Sequence, residues 1–108
     1  MCKLDNLNMI YKYHKNYKPS TNIDSIECRE IRIQNFTILL FIFSVVQNYE
    51  LTEISFPISF SIPPFVSVYD NNGNVGFDKS IAVGWSTYDS VQFKNILGSG
   101  TACVMGLI

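Results

Sequence analysis

The stretch Ile54-Ser55-Phe56-Pro57-Ile58-Ser59-Phe60-Ser61-Ile62-Pro63-Pro64-Phe65-Val66-Ser67-Val68-Tyr69 decides the fold class. From Ile54 to Ile62 every even position is a large apolar residue and every odd one is Ser or Pro. Successive side chains of a strand point to opposite faces, so this alternation predicts a strand with one buried and one wet side. A helix would scatter the same residues around its circumference. Pro63-Pro64 ends the pairing, because neither residue has an N–H to give to a ladder. A second strand-like run, Phe65 to Tyr69, follows at once.

Outward from that stretch the pattern repeats. Strands are expected over roughly 36–46, 51–62, 65–69, 80–86, 91–96 and 101–108. Turn chemistry separates them: Asp70-Asn71-Asn72-Gly73-Asn74, Asp89-Ser90 and Gly98-Ser99-Gly100. Asn and Gly tolerate positive φ, and Asx side chains bond the nearby backbone. Short strands at this spacing predict an all-β fold, a sandwich or a barrel. Phe36 to Val46 carries no charge and no Gly and reads as a buried strand. It is too short for a membrane-spanning helix, which needs ~20 apolar residues, so no membrane insertion is expected.

The chain divides near residue 35. Residues 1–34 carry a formal charge of +2 and residues 35–108 one of −3, for a net charge of −1. Residues 1–34 are read as an N-terminal extension. Leu4, Leu7, Ile10 and Tyr11 at helical spacing predict a short helix before Pro19, then a loop at Pro19-Ser20-Thr21-Asn22. Residues 35–108 are read as the β domain. The net charge of −1 and the lack of a basic stripe beyond Lys12, Lys15 and Lys18 exclude a nucleic-acid partner. The whole chain is 47% hydrophobic and only 16% charged, which suggests apolar surface covered by other copies of the chain.

No catalytic constellation is found, and the chain is read as a non-enzyme. His14 is the sole histidine, so any Ser-His-Asp or Cys-His chemistry would have to use it. Asp70, Asp78 and Asp89 offer no spacing that sequence can turn into a carboxylate pair. Cys2, Cys28 and Cys103 are far apart and odd in number, giving neither a zinc site nor a disulfide framework. Asp70, Asn72 and Asn74 have the first spacings of a calcium loop, but Val75 and Ile81 stand where Gly and Glu are required. No metal and no cofactor are expected. Asn35-Phe36-Thr37 fits a glycosylation acceptor only as a chance match. Trp85 is expected to fill the core on one strand face with Ile81 and Val83. Exposed loop tips carry binding groups, so Tyr69, Asp70, Asn71, Asn72, Asn74, Tyr88 and Asp89 are the candidate ligand-binding residues.

The block Phe56-Pro57-Ile58-Ser59-Phe60 with Pro63-Pro64-Phe65-Val66-Ser67-Val68 resembles the C-terminal, receptor-binding tip domain of phage tail fibres. It is similar as well to the H-type lectin domain. The order of later features agrees: a polar turn, the strand Ile81-Ala82-Val83-Gly84, a Ser86-Thr87 corner, and a last strand ending at Ile108. The resemblance covers roughly residues 36–108. Cys103 to Met105 stand where the family usually carries an aromatic-x-Trp pair. The resemblance implies a small antiparallel β-sandwich of about six strands, a homotrimeric adhesin in a virion that recognises a host cell-surface glycan or protein. Its alternatives are a secreted or cytosolic cellular H-type lectin and a purely structural trimerisation domain. The uncharged final strand is then the expected subunit interface.

Overall fold

The computed structural model describes residues 9–15, 20–48, 50–71, 82–94 and 96–108. The chain is all-β, a sandwich of two antiparallel sheets. Its strands are β1 (Met9–Lys15), β2 (Ser20–Thr21), β3 (Ile23–Ile33), β4 (Phe36–Val45), β5 (Thr52–Ser55), β6 (Phe65–Asp70), β7 (Ala82–Ser86), β8 (Ser90–Lys94) and β9 (Ser99–Leu107). One sheet has the order β1-β3-β4-β9-β6 and the other β2-β5-β8-β7.

The apolar run Phe36 to Val46 becomes β4, the middle strand of the five-stranded sheet. Its inward side chains Leu39, Phe41, Phe43 and Val45 are buried, with Val68, Ala102 and Val104 beside them. Ile54, Val91 and Phe93 of the second sheet close the core from the other side. The layers meet ring to ring where Phe43 and Phe93 lie 5.4 Å apart.

The opening stretch behaves as a strand only as far as Ser55. Ile54, Phe56 and Phe60 are buried as the alternation predicts, whereas Ile62 is exposed. Residues 56–64 form no ladder, because Pro57, Pro63 and Pro64 have no N–H. They form a strap that carries the chain from one sheet to the other. Phe56 N–H donates to Asp89 O (2.7 Å), Phe60 N–H to Tyr88 O (2.8 Å), and Ser61 N–H to Leu107 O (2.8 Å). Phe56 packs 5.9 Å from Phe41 and edge-on to Phe60. The strap crosses β9 at Gly106, where an added Cβ would lie 2.9 Å from Phe60 Cδ1 and 3.1 Å from Pro64 Cβ.

The helix expected before Pro19 is corrected. Its described part, Met9–Lys15, is the edge strand β1, paired in full with β3. Isolated helices this short are marginal in water, and pairing with β3 gives alternate residues of β1 a hydrogen-bonded partner. Lys12 and Lys15 are therefore exposed on a strand rather than a helix; Lys18, Leu4 and Leu7 lie outside the described residues. Residues 23–33, read as part of an extension, form β3 and give Ile23, Ile26 and Cys28 to the core. The expected loop at 19–22 contains the two-residue strand β2, paired with β5. Asn22, at φ 64°, holds the corner that follows. Its side chain donates to Gln47 O (2.9 Å) and Thr52 Oγ1 (3.0 Å) and accepts from Gln47 N–H (3.0 Å).

Two further details differ from the sequence reading. Of the Gly98-Ser99-Gly100 turn only Gly98 turns, at φ 73°, and β9 starts at Ser99. The simple alternation assumed for Ile81, Val83 and Trp85 is interrupted by a register shift between Val83 and Trp85.

Candidate functional site

In an antiparallel ladder, paired residues share a face. The registers of the five-stranded sheet therefore define rows across its outer side. Met9, Ile33, Phe36 and Leu107 form the first row. Tyr11, Ile31, Ile38, Met105 and Phe65 form the second. The third is mixed, with Tyr13, Arg29, Leu40, Cys103 and Ser67. Lys15, Glu27, Ile42 and Thr101 make the fourth, and Ser25, Ser44 and Ser99 the fifth. The face thus grades from wholly apolar at one end to serine-rich at the other.

At the polar end lies an open depression of about 410 Å³. It is lined by Lys15, Ser25, Glu27, Ile42, Ser44, Asn71 and Ser99, with Ile26 and Phe43 beneath. A register irregularity between Ile23 and Ser25 loosens the ladder here. Ser25 and Ser44 share a hydroxyl–hydroxyl bond of 2.6 Å. Asn71 is held against β9: its N–H donates to Ser99 O (3.0 Å), its Nδ2 to Ser99 Oγ (3.3 Å), and its Oδ1 accepts from Thr101 Oγ1 (3.0 Å). The depression offers hydroxyls, an amide, one cation and one carboxylate around an apolar floor at Ile42. That mixture suits a polyhydroxylated ligand.

Beside it the aromatic and charged side chains of β1 and β3 interlock. Arg29 lies 4.9 Å from the Tyr13 ring centroid and donates to Tyr11 Oη (2.8 Å). Tyr13 donates its hydroxyl to Glu27, and that bond raises the Tyr13 pKa.

The expected ligand-binding residues do not converge. Asp70 is buried at the end of β6, and Asn71 lines the depression. Tyr69 pairs with Thr101 in the ladder, and Asn72 and Asn74 lie outside the described residues. Tyr88 and Asp89 are exposed at the β7–β8 corner, which Thr87 organises by bonding Asp89 Oδ1 (3.1 Å) and Ser90. That corner is tied through the strap to the Leu107 end of β9, whereas Asn71 is tied to the Ser99 end. Strand rise puts those ends ~26 Å apart, so the two groups belong to opposite ends of the sandwich. The sequence reading missed Lys15, Ser25, Glu27, Ser44 and Ser99, because only the β1–β3–β4–β9 registers bring them together. The calcium spacing and Asp78 also lie outside the described residues, as does the side chain of Trp85.

On the inner side of the same sheet sits a buried ion cluster. Glu30 is fully buried and accepts from Arg32 Nη2 (2.8 Å), while His14 Nε2 lies 3.0 Å from its other oxygen. Arg32 Nε and Thr37 Oγ1 are buried beside it without a partner. His14 is thus held by Glu30 on β1. Cys28 pairs across from His14 and is fully buried. Burial first, and the Glu30 charge second, push the Cys28 thiol from its ordinary 9.0 up to about 12. A thiol so placed is not a nucleophile near neutral pH. Cys103 lies on the opposite face, its thiol also raised by burial, and both cysteines are free. Among the described residues, no group of three His, Cys, Asp or Glu side chains could hold a metal ion.

The Cys28 thiol has a consequence for stability. The folded state holds this proton more tightly than the unfolded chain does. Its contribution is therefore full below pH 9 and is lost as pH rises from 9 toward about 12. Relative to Cys28→Val, the wild type should lose ~1.4 kcal/mol of unfolding free energy per pH unit above 9. Urea titrations of both proteins from pH 7 to 11 measure this. A difference that stays flat to pH 11 sinks the assignment.

No helix among the described residues is long and apolar enough to cross a membrane. The chain matches no family model, no curated protein and no solved structure.

Proposed function

We propose that the chain is a non-enzymatic receptor-binding module of a phage or prophage tail fibre, carried in the virion as a homotrimer. In this reading it recognises a host cell-surface glycan or protein. The observation that supports it is the depression of about 410 Å³ in which Asn71 joins Ser25, Ser44 and Ser99 between Lys15 and Glu27. Hydroxyl and amide groups at its rim match sugar hydroxyls, Ile42 offers a small apolar floor, and the charges fix orientation. The strands beneath make it a preformed site, which limits the ordering cost of binding.

A glycan array probed with the full chain tests this reading. Ser44→Leu places an apolar branch in the depression and should weaken binding at least ~10-fold, the equivalent of one or two lost hydrogen bonds. Tyr88→Ala, at the far end of the sandwich, should leave binding unchanged. Equal binding by Ser44→Leu and wild type, or a loss confined to Tyr88→Ala, would move the site elsewhere. Absence of any glycan or host-surface binding would overturn the reading.

A further inference from the structure

We infer that the apolar end of the outer sheet face is covered by other copies of this same chain. Eight of the twelve large hydrophobic side chains exposed among the described residues lie on this one face. Met9 is 60% exposed and Phe65 is 64% exposed. The first two rows hold no charged and no hydroxyl-bearing aliphatic side chain, only apolar residues and Tyr11. The cause lies in β4. Strands with one solvated side alternate apolar and polar residues, whereas Ile38 to Phe43 is apolar on both sides, as in strands buried on both faces. The sandwich covers only the inner side, through Leu39, Phe41 and Phe43. Ile38, Ile42 and Phe36 are left facing out.

The size and chemistry of the face select the occupant. The first three rows take in ~20 Å of strand length across five strands ~4.8 Å apart, ~480 Å² per copy and about 1,000 Å² for a pair of faces, the lower limit of a specific interface, and they leave the depression open. The apolar rows alone approach the largest apolar patches that monomers expose, ~300–600 Å². A lipid surface would call for a cluster of basic side chains flanking the apolar rows; the adjoining row supplies only Arg29, which is engaged with the Tyr11 hydroxyl and the Tyr13 ring. Identical copies bring the same apolar rows, so three sheets turned toward one axis bury them together, as the proposed homotrimer requires. β9 sits between β4 and β6, so it has no free edge and contributes through Met105 and Leu107 only. This inference deepens the assembly part of the proposed function and is independent of glycan recognition.

Light scattering of the full chain across concentrations, with carbene footprinting of the same samples, tests it. The expected mass is three times 12.3 kDa, with Met9, Tyr11 and Phe65 protected while Ile62 and Tyr88 are labelled freely. The variant Ile31→Lys/Phe65→Lys should drop to 12.3 kDa, and Ile62→Lys should keep the wild-type mass. A wild-type monomer at every concentration overturns the inference. So does an oligomer in which Met9 and Phe65 are labelled as fast as Tyr88, a reading that does not depend on the variant folding. Glycan binding is not read here, so failure of recognition would leave this result unchanged.

Discussion

Replacing Phe41 with Ala should cost ~3–5 kcal/mol of unfolding free energy, the usual range for emptying a buried phenyl site. Phe41 is fully buried on the middle strand of the larger sheet. Its ring lies 5.9 Å from Phe56, which in turn packs edge-on to Phe60 at 5.7 Å. The site joins β4 to the strap rather than to a flexible surface loop. The strap is pinned at both ends by its bonds to Asp89, Tyr88 and Leu107, so it has little freedom to collapse into the gap. A domain has only ~5–15 kcal/mol in total, so the variant should be marginal at room temperature. Phe41→Leu, which keeps much of the volume, should cost much less. Urea unfolding followed by fluorescence measures both. A loss below ~1 kcal/mol for Phe41→Ala would mean that strap and sheet are not packed as described.

Replacing Glu30 with Ala should cost up to ~3–5 kcal/mol, because removing one partner of a buried ion pair strands the other. Glu30 is fully buried and receives both Arg32 and His14. Arg32 already has its Nε buried without a partner, so losing Glu30 strands its Nη2 as well. Its side chain is 22% exposed, and partial access to water moderates the loss. The double variant Glu30→Leu/Arg32→Met removes both charges and should recover most of the stability, since apolar replacements of buried pairs are often neutral. If Glu30→Ala stays within ~1 kcal/mol of wild type, or the double variant is no better than the single, the cluster is not the buried network described.

The strand at 36–46 was legible because an uncharged, Phe-rich and β-branched run of that length has few other options. The strands β6, β7, β8 and β9 were legible from the turn residues between them. The strap was only half legible. Alternation reported correctly that Ile54, Phe56 and Phe60 are buried, but burial at period two does not require a hydrogen-bonded ladder. Pro57 was the sign that the ladder stops early. The edge strand β1 was not legible, because exposed edge strands carry no burial periodicity. Its residues Met9, Tyr11 and Tyr13 are exposed, and its pairing depends on β3, which follows it in the chain.

The sequence by itself determined the class of the protein. Period-two burial, proline stops and Asn/Gly turns are local effects, set by the geometry of a few neighbouring residues, and they leave a β-sandwich or a barrel. Low charge likewise pointed to apolar surface in need of cover. The tertiary structure alone decided which residues meet. The depression unites Lys15, Ser25, Ser44, Asn71 and Ser99 from β1, β3, β4, β9 and the residue after β6. The Glu30 cluster unites β1 with β3, and the apolar rows draw on five strands. Register and strand order arise from long-range pairing across the sheet, and no local pattern in the chain encodes which strand will lie beside which.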